Sequence, residues 1–242
     1  MSITPLVQSA TPARRSESGL RAILSALVGN RGAQCAAVRD SEKIEVLEFR
    51  RINTADRFEM RFGWWSRIYE YPMVLDMINK HVGRKDICVH NTSWGFEGCH
   101  IAFKDILESS YEAVVNTDVQ PSELPNTGVW DITTPPRTEY LNHFDVVVNV
   151  STMEEVDCDH LSIFDNLFSQ VKAGGILVCT FDLPGLQLKK FENLFGKVLA
   201  TAGNDINGKI SALPHMKYEH LTCGIMVVRK MLKCPAHCDA CA

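Results

Sequence analysis

The chain has 242 residues, of which 45% are hydrophobic and 22% charged, a composition that argues against extensive disorder. This length suffices for one large α/β domain or for two small ones, and we expect one domain with an N-terminal extension. The formal net charge of −4 and the pI near 6.1 disfavour nucleic acid as the main partner.

The sequence shows no targeting or membrane signal. No apolar run reaches the roughly 18 residues of a membrane span, and the N-terminus lacks the pattern of a secretory signal. We therefore expect a cytoplasmic protein. Among the nine cysteines, Cys88, Cys179 and Cys223 fall inside apolar runs, which favours reduced thiols over disulfides.

The N-terminal third is predicted to precede the main sheet. Residues 1–18 are rich in Ser, Thr, Pro and Arg and are predicted to form a flexible arm. Residues 19–85 are predicted to form a helical and aromatic extension with a lid. Within it, a helix is predicted from Gly19 and a short strand from Glu45.

Aromatic residues are concentrated between residues 53 and 81. Pro72 is followed there by apolar residues at helical spacing, and a proline near the first turn costs no hydrogen bond, so a helix is predicted to begin close to it. The aromatic side chains either pack in a core or form a lid in which Arg67, Glu70 and Tyr71 reach a polar ligand. They are Phe58, Phe62, Trp64, Trp65, Tyr69 and Tyr71.

From Asp86 onward, β-branched runs alternate with segments of helical periodicity. Residues 86–232 therefore predict an α/β core: a doubly wound, mostly parallel Rossmann-like sheet of about seven strands with helices on both faces. A helix from Asp159 is predicted to end at the Ala-Gly-Gly turn of residues 173–175. Ligands of such sheets bind beyond the carboxyl ends of the strands, near the switch in strand order. The loops brought together there begin at Asn91, Asp118, Asp131, Ser151 and Asp182.

Two stretches carry a resemblance to a known family. The first stretch, from Phe144, reads FDVVVNVSTMEEVD; a predicted helix follows it, and then the second stretch, KAGGILVCTF. This order of segments resembles that of class I S-adenosylmethionine-dependent methyltransferases. The likeness spans roughly residues 69–230 and implies S-adenosyl-L-methionine as cofactor. It also implies that Asp118, at the end of VVNTD, receives the ribose hydroxyls, that Asp131 lies beside the adenine amine, and that Ile132 packs on the adenine ring.

The first loop departs from the family pattern of an acidic residue followed by alternating glycines. His90 or Asn91 stands near the place of the acid, and Thr92 and Ser93 stand near those of the glycines. Because Thr and Ser cannot supply the conformations of glycine, the loop is predicted to take another path. Either Asn91, Thr92 and Ser93 bind the methionine part through their side chains, or the site has lost its cofactor and the chain is a non-catalytic binding protein. The expected cofactor contacts are Arg67, Asn91, Thr92, Ser93, Gly95, Asp118, Asp131, Ile132 and Ser151.

Methyl transfer to a hydroxyl group needs a general base. Glu154 or Glu155, in the loop after the predicted fourth strand, is the expected base, and His160 is the next candidate. The alternative is that the glutamates are solvated and that Asp157 or Asp159 caps the following helix.

Asp182, which closes the run TFD, is a second candidate for the base. Together with the glutamates it has the oxygen ligands for a divalent cation, although the spacing diagnoses no metal site.

The segment SRIYEYPMVLDMI before the first family strand most resembles surface-glycan methyltransferases, some of which are encoded near or fused to glycosyltransferases. This resemblance implies a sugar hydroxyl as acceptor and a glycosyltransferase as partner. Trp64, Trp65 and Trp94 suit stacking on a sugar and equally suit a core. A small-molecule or protein methyltransferase of the same class is the alternative, and no oligomeric state is predicted.

Residues 233–242 form a cysteine-rich tail that contains Cys234, Cys238 and Cys241. Their spacing matches the cluster motif of radical enzymes that use the same cofactor, but those enzymes carry the motif early in the chain. We expect a mobile terminus, and a zinc site that includes His237 stays open.

Overall fold

The computed structural model describes residues 44–53, 56–63, 65–95, 98–195, 206, 213–214 and 222–231. Seven strands and four α-helices lie in this part of the chain. They are β1 Ile44–Arg51, α1 Arg67–His81, β2 Cys88–Thr92, α2 Cys99–Ser110, β3 Ala113–Asp118, β4 Thr127–Val129, β5 Phe144–Val150, α3 His160–Phe168, β6 Val171–Leu183, α4 Leu188–Phe195 and β7 Thr222–Lys230.

The strands form one seven-stranded sheet in the order β1-β7-β6-β5-β2-β3-β4. Neighbours from β6 to β4 pair in parallel, whereas β7 pairs antiparallel with both β6 and β1. From β2 the chain first builds outward to β3 and β4, and then returns to the other side with β5. The strand order thus reverses between β2 and β5, which confirms the predicted α/β class with a mostly parallel sheet.

Two hydrophobic cores lie on opposite faces of this sheet. On one face, α1 and α2 pack their apolar stripes against alternate residues of β2, β5, β6 and β7. On the other face, α3 and α4 pack against the intervening residues of β5, β6 and β7. Every residue of β5 is buried, because a central parallel strand is covered on both sides.

The first helix starts earlier than the sequence pattern predicts. It begins at Arg67, so that Pro72 lies inside the helix rather than at its first turn. A proline at that position cannot donate to the carbonyl of Ile68, four residues back. The backbone N–H of Glu59 donates to this carbonyl instead, at 2.8 Å. An outside donor therefore satisfies the acceptor that the proline leaves.

The prediction for the Ala-Gly-Gly turn was also wrong in detail. Helix α3 ends at Phe168, and residues 173–175 lie within β6 rather than after a helix. Gly174 has a φ of +84°, and the pairing of β5 with β6 shifts register between Phe144 and Val146. The two glycines therefore lie in the irregular first part of β6 and do not end a helix.

Residues 44–81, which the sequence analysis placed in an extension before the core, supply an edge strand of the sheet and a core-packing helix. Residues 1–18, the predicted helix from Gly19, and the tail of residues 233–242 lie outside the described residues.

Among the described helices, none combines the length and apolar character needed to cross a membrane.

Candidate functional site

A cavity of about 420 Å³ opens beyond the carboxyl ends of β2, β3 and β5, at the switch in strand order. Open α/β sheets bind ligands at this place. Loops after β2, β3, β4 and β5 form most of its wall, and residues near the amino ends of α1 and α2 contribute the rest. Its lining residues are Arg67, Tyr71, Ser93, Gly95, His100, Asp118, Val119, Trp130, Asp131, Ile132, Thr133, Val150, Thr152 and Val156.

Asp118 ends β3 and presents its carboxylate to the cavity. The backbone N–H of Gly95 donates to Oδ2 at 3.3 Å, and that of Gln120 donates to Oδ1 at 3.1 Å. Each carboxylate oxygen has two lone pairs, so a carboxylate fixed in this way can still accept two further hydrogen bonds.

Asp131 faces the cavity from the loop after β4. Its Oδ1 accepts both the backbone N–H and the hydroxyl of Thr133, at 2.9 and 2.8 Å. No described residue bonds Oδ2, which leaves that oxygen for a ligand. Val119 and Ile132 add apolar surface to the cavity lining. Two carboxylates that accept hydrogen bonds and two aliphatic side chains fit the hydroxyl groups, the amine and the flat base of a nucleoside.

The loop after β2 does contain left-handed backbone. Ser93 has a φ of +52° and Gly95 a φ of +65°, so two alternate positions adopt the conformation that glycine favours. Ser93 itself takes up the left-handed conformation that the sequence analysis assigned to glycine. Both residues line the cavity.

Asn91 and Thr92 lie within the sheet and do not line the cavity. The Asn91 amide donates to Asn116 Oδ1 on β3 at 3.0 Å. The Thr92 hydroxyl donates to the Val148 carbonyl at 2.8 Å and accepts from the Asn149 amide at 3.0 Å. Both are buried cross-strand contacts, so these side chains bind neighbouring strands.

Arg67 reaches the cavity from the first turn of α1. Its Nη1 donates to Glu70 Oε2 at 2.5 Å and to Ser66 Oγ at 3.0 Å. Ser151, with a φ of +40° after β5, donates its hydroxyl to the other oxygen of Glu70. Ser151 therefore faces Glu70, whereas its neighbour Thr152 lines the cavity.

Glu154 is buried, and its Oε1 accepts the backbone N–H of Asp182 at 2.5 Å. Burial raises the pKa of Glu154 to about 8, and the nearby charges of Glu70 and Asp182 add to this effect. Burial and the Glu70 charge also raise the pKa of Asp182 to about 7. Oε2 of Glu154 and Oδ1 of Asp182 have no partner among the described residues. Neither residue lines the cavity.

Glu155 is exposed, and His160 is buried away from the cavity. The backbone N–H of Gln187 donates to His160 Nδ1 at 3.1 Å, and Nε2 lies 3.2 Å from the Val156 carbonyl. Burial lowers the pKa of this imidazole. Asp159 caps α3, as the alternative interpretation predicted, by accepting from Leu161 N at 3.3 Å.

The described residues include no group of three or more His, Cys, Asp and Glu side chains that could hold a metal ion. Asp182 and the glutamates therefore gain no geometric support as a cation site. Trp94 is buried, Trp65 is partly exposed, and Trp64 lies outside the described residues.

Sequence reasoning left two kinds of lining residue out of the expected site. Six of them directly adjoin expected site residues, so adjacency was their only signal: Val119, Trp130, Thr133, Val150, Thr152 and Val156. His100 lies in the first turn of α2, after the atypical loop, and Tyr71 was considered only as part of a lid.

No protein-family model matches the chain, and no curated protein matches it. The similar solved structures include a TehB-like SAM-dependent methyltransferase from Corynebacterium glutamicum, with 15% identity, coverage of 67% of this chain and 88% of that one, and a TM-score of 0.45. A second is a Burkholderia thailandensis 1,6-didemethyltoxoflavin-N1-methyltransferase solved with S-adenosylhomocysteine, with 10% identity, 93% and 94% coverage, and a TM-score of 0.46.

A third is the PH0226 protein from Pyrococcus horikoshii, with 15% identity, coverage of 50% of this chain and 57% of that one, and a TM-score of 0.36.

Proposed function

We propose that the chain is an S-adenosylmethionine-dependent methyltransferase whose cofactor occupies the cavity. The observation that supports this most is the pair Asp118 and Asp131, which the resemblance assigns to ribose and adenine and which both face one cavity at the strand switch. When bound, S-adenosylmethionine supplies a methyl group on a sulfonium centre. Asp118 would accept the ribose hydroxyls, and Asp131 Oδ2 the adenine amine.

Calorimetric titration with S-adenosylhomocysteine tests the cofactor assignment. We expect binding to the parent protein and a roughly tenfold to hundredfold weaker affinity for Asp118→Asn, because hydrogen bonds to a charged group are worth about 1.5–3 kcal/mol. Asp105→Asn is the matched control, since Asp105 is an exposed residue of α2. No heat of binding to the folded parent at millimolar ligand would contradict the proposal.

For the acceptor, we propose a sugar hydroxyl of a glycan, with Glu154 as the general base. The sequence resemblance supports the acceptor. Glu154 belongs to the loop after β5, in which its neighbours Thr152 and Val156 line the cavity, although its own side chain is buried outside that lining. Its pKa of about 8 is close to working pH, where a base is most effective.

Methyl transfer to a panel of oligosaccharides tests this assignment. We expect Glu154→Gln to lower kcat by about 10² to 10⁴ while S-adenosylhomocysteine binds unchanged. The control is Glu139→Gln, which alters an exposed carboxylate. Unchanged turnover in Glu154→Gln would exclude this residue as the base, and methylation of only non-sugar acceptors would exclude the glycan.

A further inference from the structure

Asn166, near the end of helix α3, reaches the loop that carries Asp131. Its side-chain amide donates to the backbone carbonyl of Ile132 at 2.9 Å, and this contact is buried. Within the loop, the N–H and hydroxyl groups of Thr133 bond back to Asp131. Among the described residues, the Asn166 contact is the hydrogen bond that joins residues 131–136 to another part of the chain. Helix α3 therefore holds this loop in place.

Asn166 itself does not line the cavity, so it acts on a ligand only through the loop. Ile132 has its side chain in the cavity lining and its carbonyl on the Asn166 amide. Asp131 is the preceding residue, and its Oδ2 is open to a ligand. Because a hydrogen bond weakens steeply when its distance or angle departs from the usual range, the position of the loop decides how well this oxygen accepts.

A row of buried hydrogen bonds continues from Asn166 into the sheet. Nε2 of Gln170 donates to the backbone carbonyl of Asn166 at 3.0 Å, and Oε1 of Gln170 lies 2.7 Å from Nδ1 of His90 on β2. The other ring nitrogen of His90 lies 2.8 Å from the hydroxyl of Thr117. Thr117 is the residue before Asp118 on β3, so the row reaches the strand that ends in the other cavity carboxylate.

Donor and acceptor roles along this row are fixed from one end. A backbone carbonyl only accepts, so the NH₂ group of Gln170 faces Asn166 and its oxygen faces His90. Nδ1 of His90 then carries the ring proton, and Nε2 accepts from the Thr117 hydroxyl. Burial lowers the pKa of His90 to about 3, which keeps the ring neutral. The side chains of Gln170, His90 and Thr117 are all buried, so solvent does not compete for these bonds.

We propose that Asn166, held by Gln170 and His90, is a positioning residue that makes the cavity select adenine over a purine with an oxo group in place of the amine. The inference rests on the proposed function, in which Asp131 Oδ2 accepts the adenine amine. An oxo group at this place cannot donate to a carboxylate. The preference for the amine therefore depends on how firmly the loop is held, and Asn166 supplies the bond that holds it.

Two ligands that differ only in this group test the inference. S-inosylhomocysteine has an oxo group where S-adenosylhomocysteine has the amine. We expect the parent protein to bind S-adenosylhomocysteine roughly tenfold to a hundredfold more tightly, because the other ligand loses a hydrogen bond to a charged group. Asn166→Leu removes the donor to the Ile132 carbonyl and should lower this affinity ratio by roughly twofold to tenfold. The ratio does not depend on the fraction of folded protein.

A second variant and a matched control separate positioning from a general loss of stability. Gln170→Met keeps the length of the side chain but removes both of its hydrogen bonds, so it should lower the ratio in the same direction. The control Tyr69→Phe removes a hydrogen bond to the Pro214 carbonyl, made by a buried ring in the core on the other face of the sheet. It should lower the unfolding temperature and leave the ratio unchanged.

The ring of His90 gives a readout that needs neither a ligand nor a variant. Long-range proton–nitrogen correlation spectra of the parent protein should show a protonated Nδ1 and a bare Nε2, unchanged from about pH 5 to about pH 9. The opposite tautomer, or a charged imidazolium in this range, would contradict the hydrogen-bond row on which the inference depends.

The outcomes separate this inference from the proposed function. A ratio that keeps its parent value in Asn166→Leu and Gln170→Met, or that falls equally in Tyr69→Phe, would overturn the inference and leave the cofactor assignment intact. Equal binding of the two ligands by the parent would do the same. Failure of the folded parent to bind either ligand would instead overturn the proposed function, and the inference with it.

Discussion

Glu154 and Asp182 are buried carboxyl groups that meet where β5 and β6 end, and they share their surroundings with the ionised Glu70. Arg67 is already paired with Glu70. Two further charges there would lack a counter-ion, so the native state keeps protons on both groups up to pKa values of about 8 for Glu154 and about 7 for Asp182. Burial of charge without a partner is the physical cause.

These raised pKa values predict a decline in stability with rising pH. In the unfolded chain both carboxyl groups release their protons near pH 4, whereas the folded protein retains them. The free energy of unfolding should therefore fall from about pH 4 until the native groups ionise, near pH 7 for Asp182 and near pH 8 for Glu154. Glu154→Gln should flatten this fall, and chemical denaturation at several pH values measures it. An unchanged slope in the variant would contradict the raised pKa of Glu154.

Ser93 also lowers the stability of the folded state locally, because its backbone has a φ of +52°. A left-handed conformation costs a residue with a Cβ about 1–2 kcal/mol, and glycine costs about 0.5–1 kcal/mol in chain entropy. Ser93→Gly should therefore be neutral or stabilising by up to about 1 kcal/mol in chemical denaturation. Ser109→Gly, within helix α2, should destabilise instead. A clear loss of stability in Ser93→Gly would contradict this account of the loop.

Asp118, the last residue of β3, and Asp131, in the loop after β4, line the cavity, as their places at the carboxyl ends of strands predicted. Asn91 and Thr92 could not be placed in the same way. They are the last residues of β2, and whether such a side chain points into the crevice or bonds a neighbouring strand depends on the partners Asn116 and Asn149, which are distant in sequence.

At the scale of elements, β7 depends on a glycine for its packing. A Cβ atom at Gly224 would lie 2.3 Å from Cε2 and 2.6 Å from Cζ of Phe181, a buried ring on β6. Gly224→Ala should destabilise the protein by about 1–3 kcal/mol because the ring has no space to move. Gly128→Ala in β4 is the matched control, since its nearest contact would be 3.7 Å. Equal stabilities for the two variants in thermal denaturation would refute this.

Element bounds were predicted best where periodicity alone decides them. The central strand β5 was expected from Phe144 and begins there. The start of α1 was missed because a proline normally marks a first turn, whereas here the helix runs through Pro72 and the Glu59 N–H donates to the carbonyl of Ile68. The sequence of the helix itself does not indicate that Glu59, which lies outside it, supplies this donor.

At the scale of the whole molecule, the strand from the N-terminal part of the described chain lies beside the last one. β1 pairs with β7 along seven register positions, so residues near both limits of the described core complete one edge of the sheet. The alternation of strands and helices predicted the parallel part of the sheet. Pairing of β1 with β7 is a long-range contact, and sequence periodicity holds no information about such partners.

The central claim is that this molecule binds a nucleoside cofactor at the strand switch, and hydrogen exchange with and without S-adenosylhomocysteine tests it most directly. We predict slower amide exchange in residues 93–95, 118–120 and 131–133, whose N–H groups include those that hold Asp118 and Asp131. Exchange in β1, remote from the cavity, should change little. Unchanged exchange in those three segments at saturating ligand, or protection confined to other segments, would contradict the account.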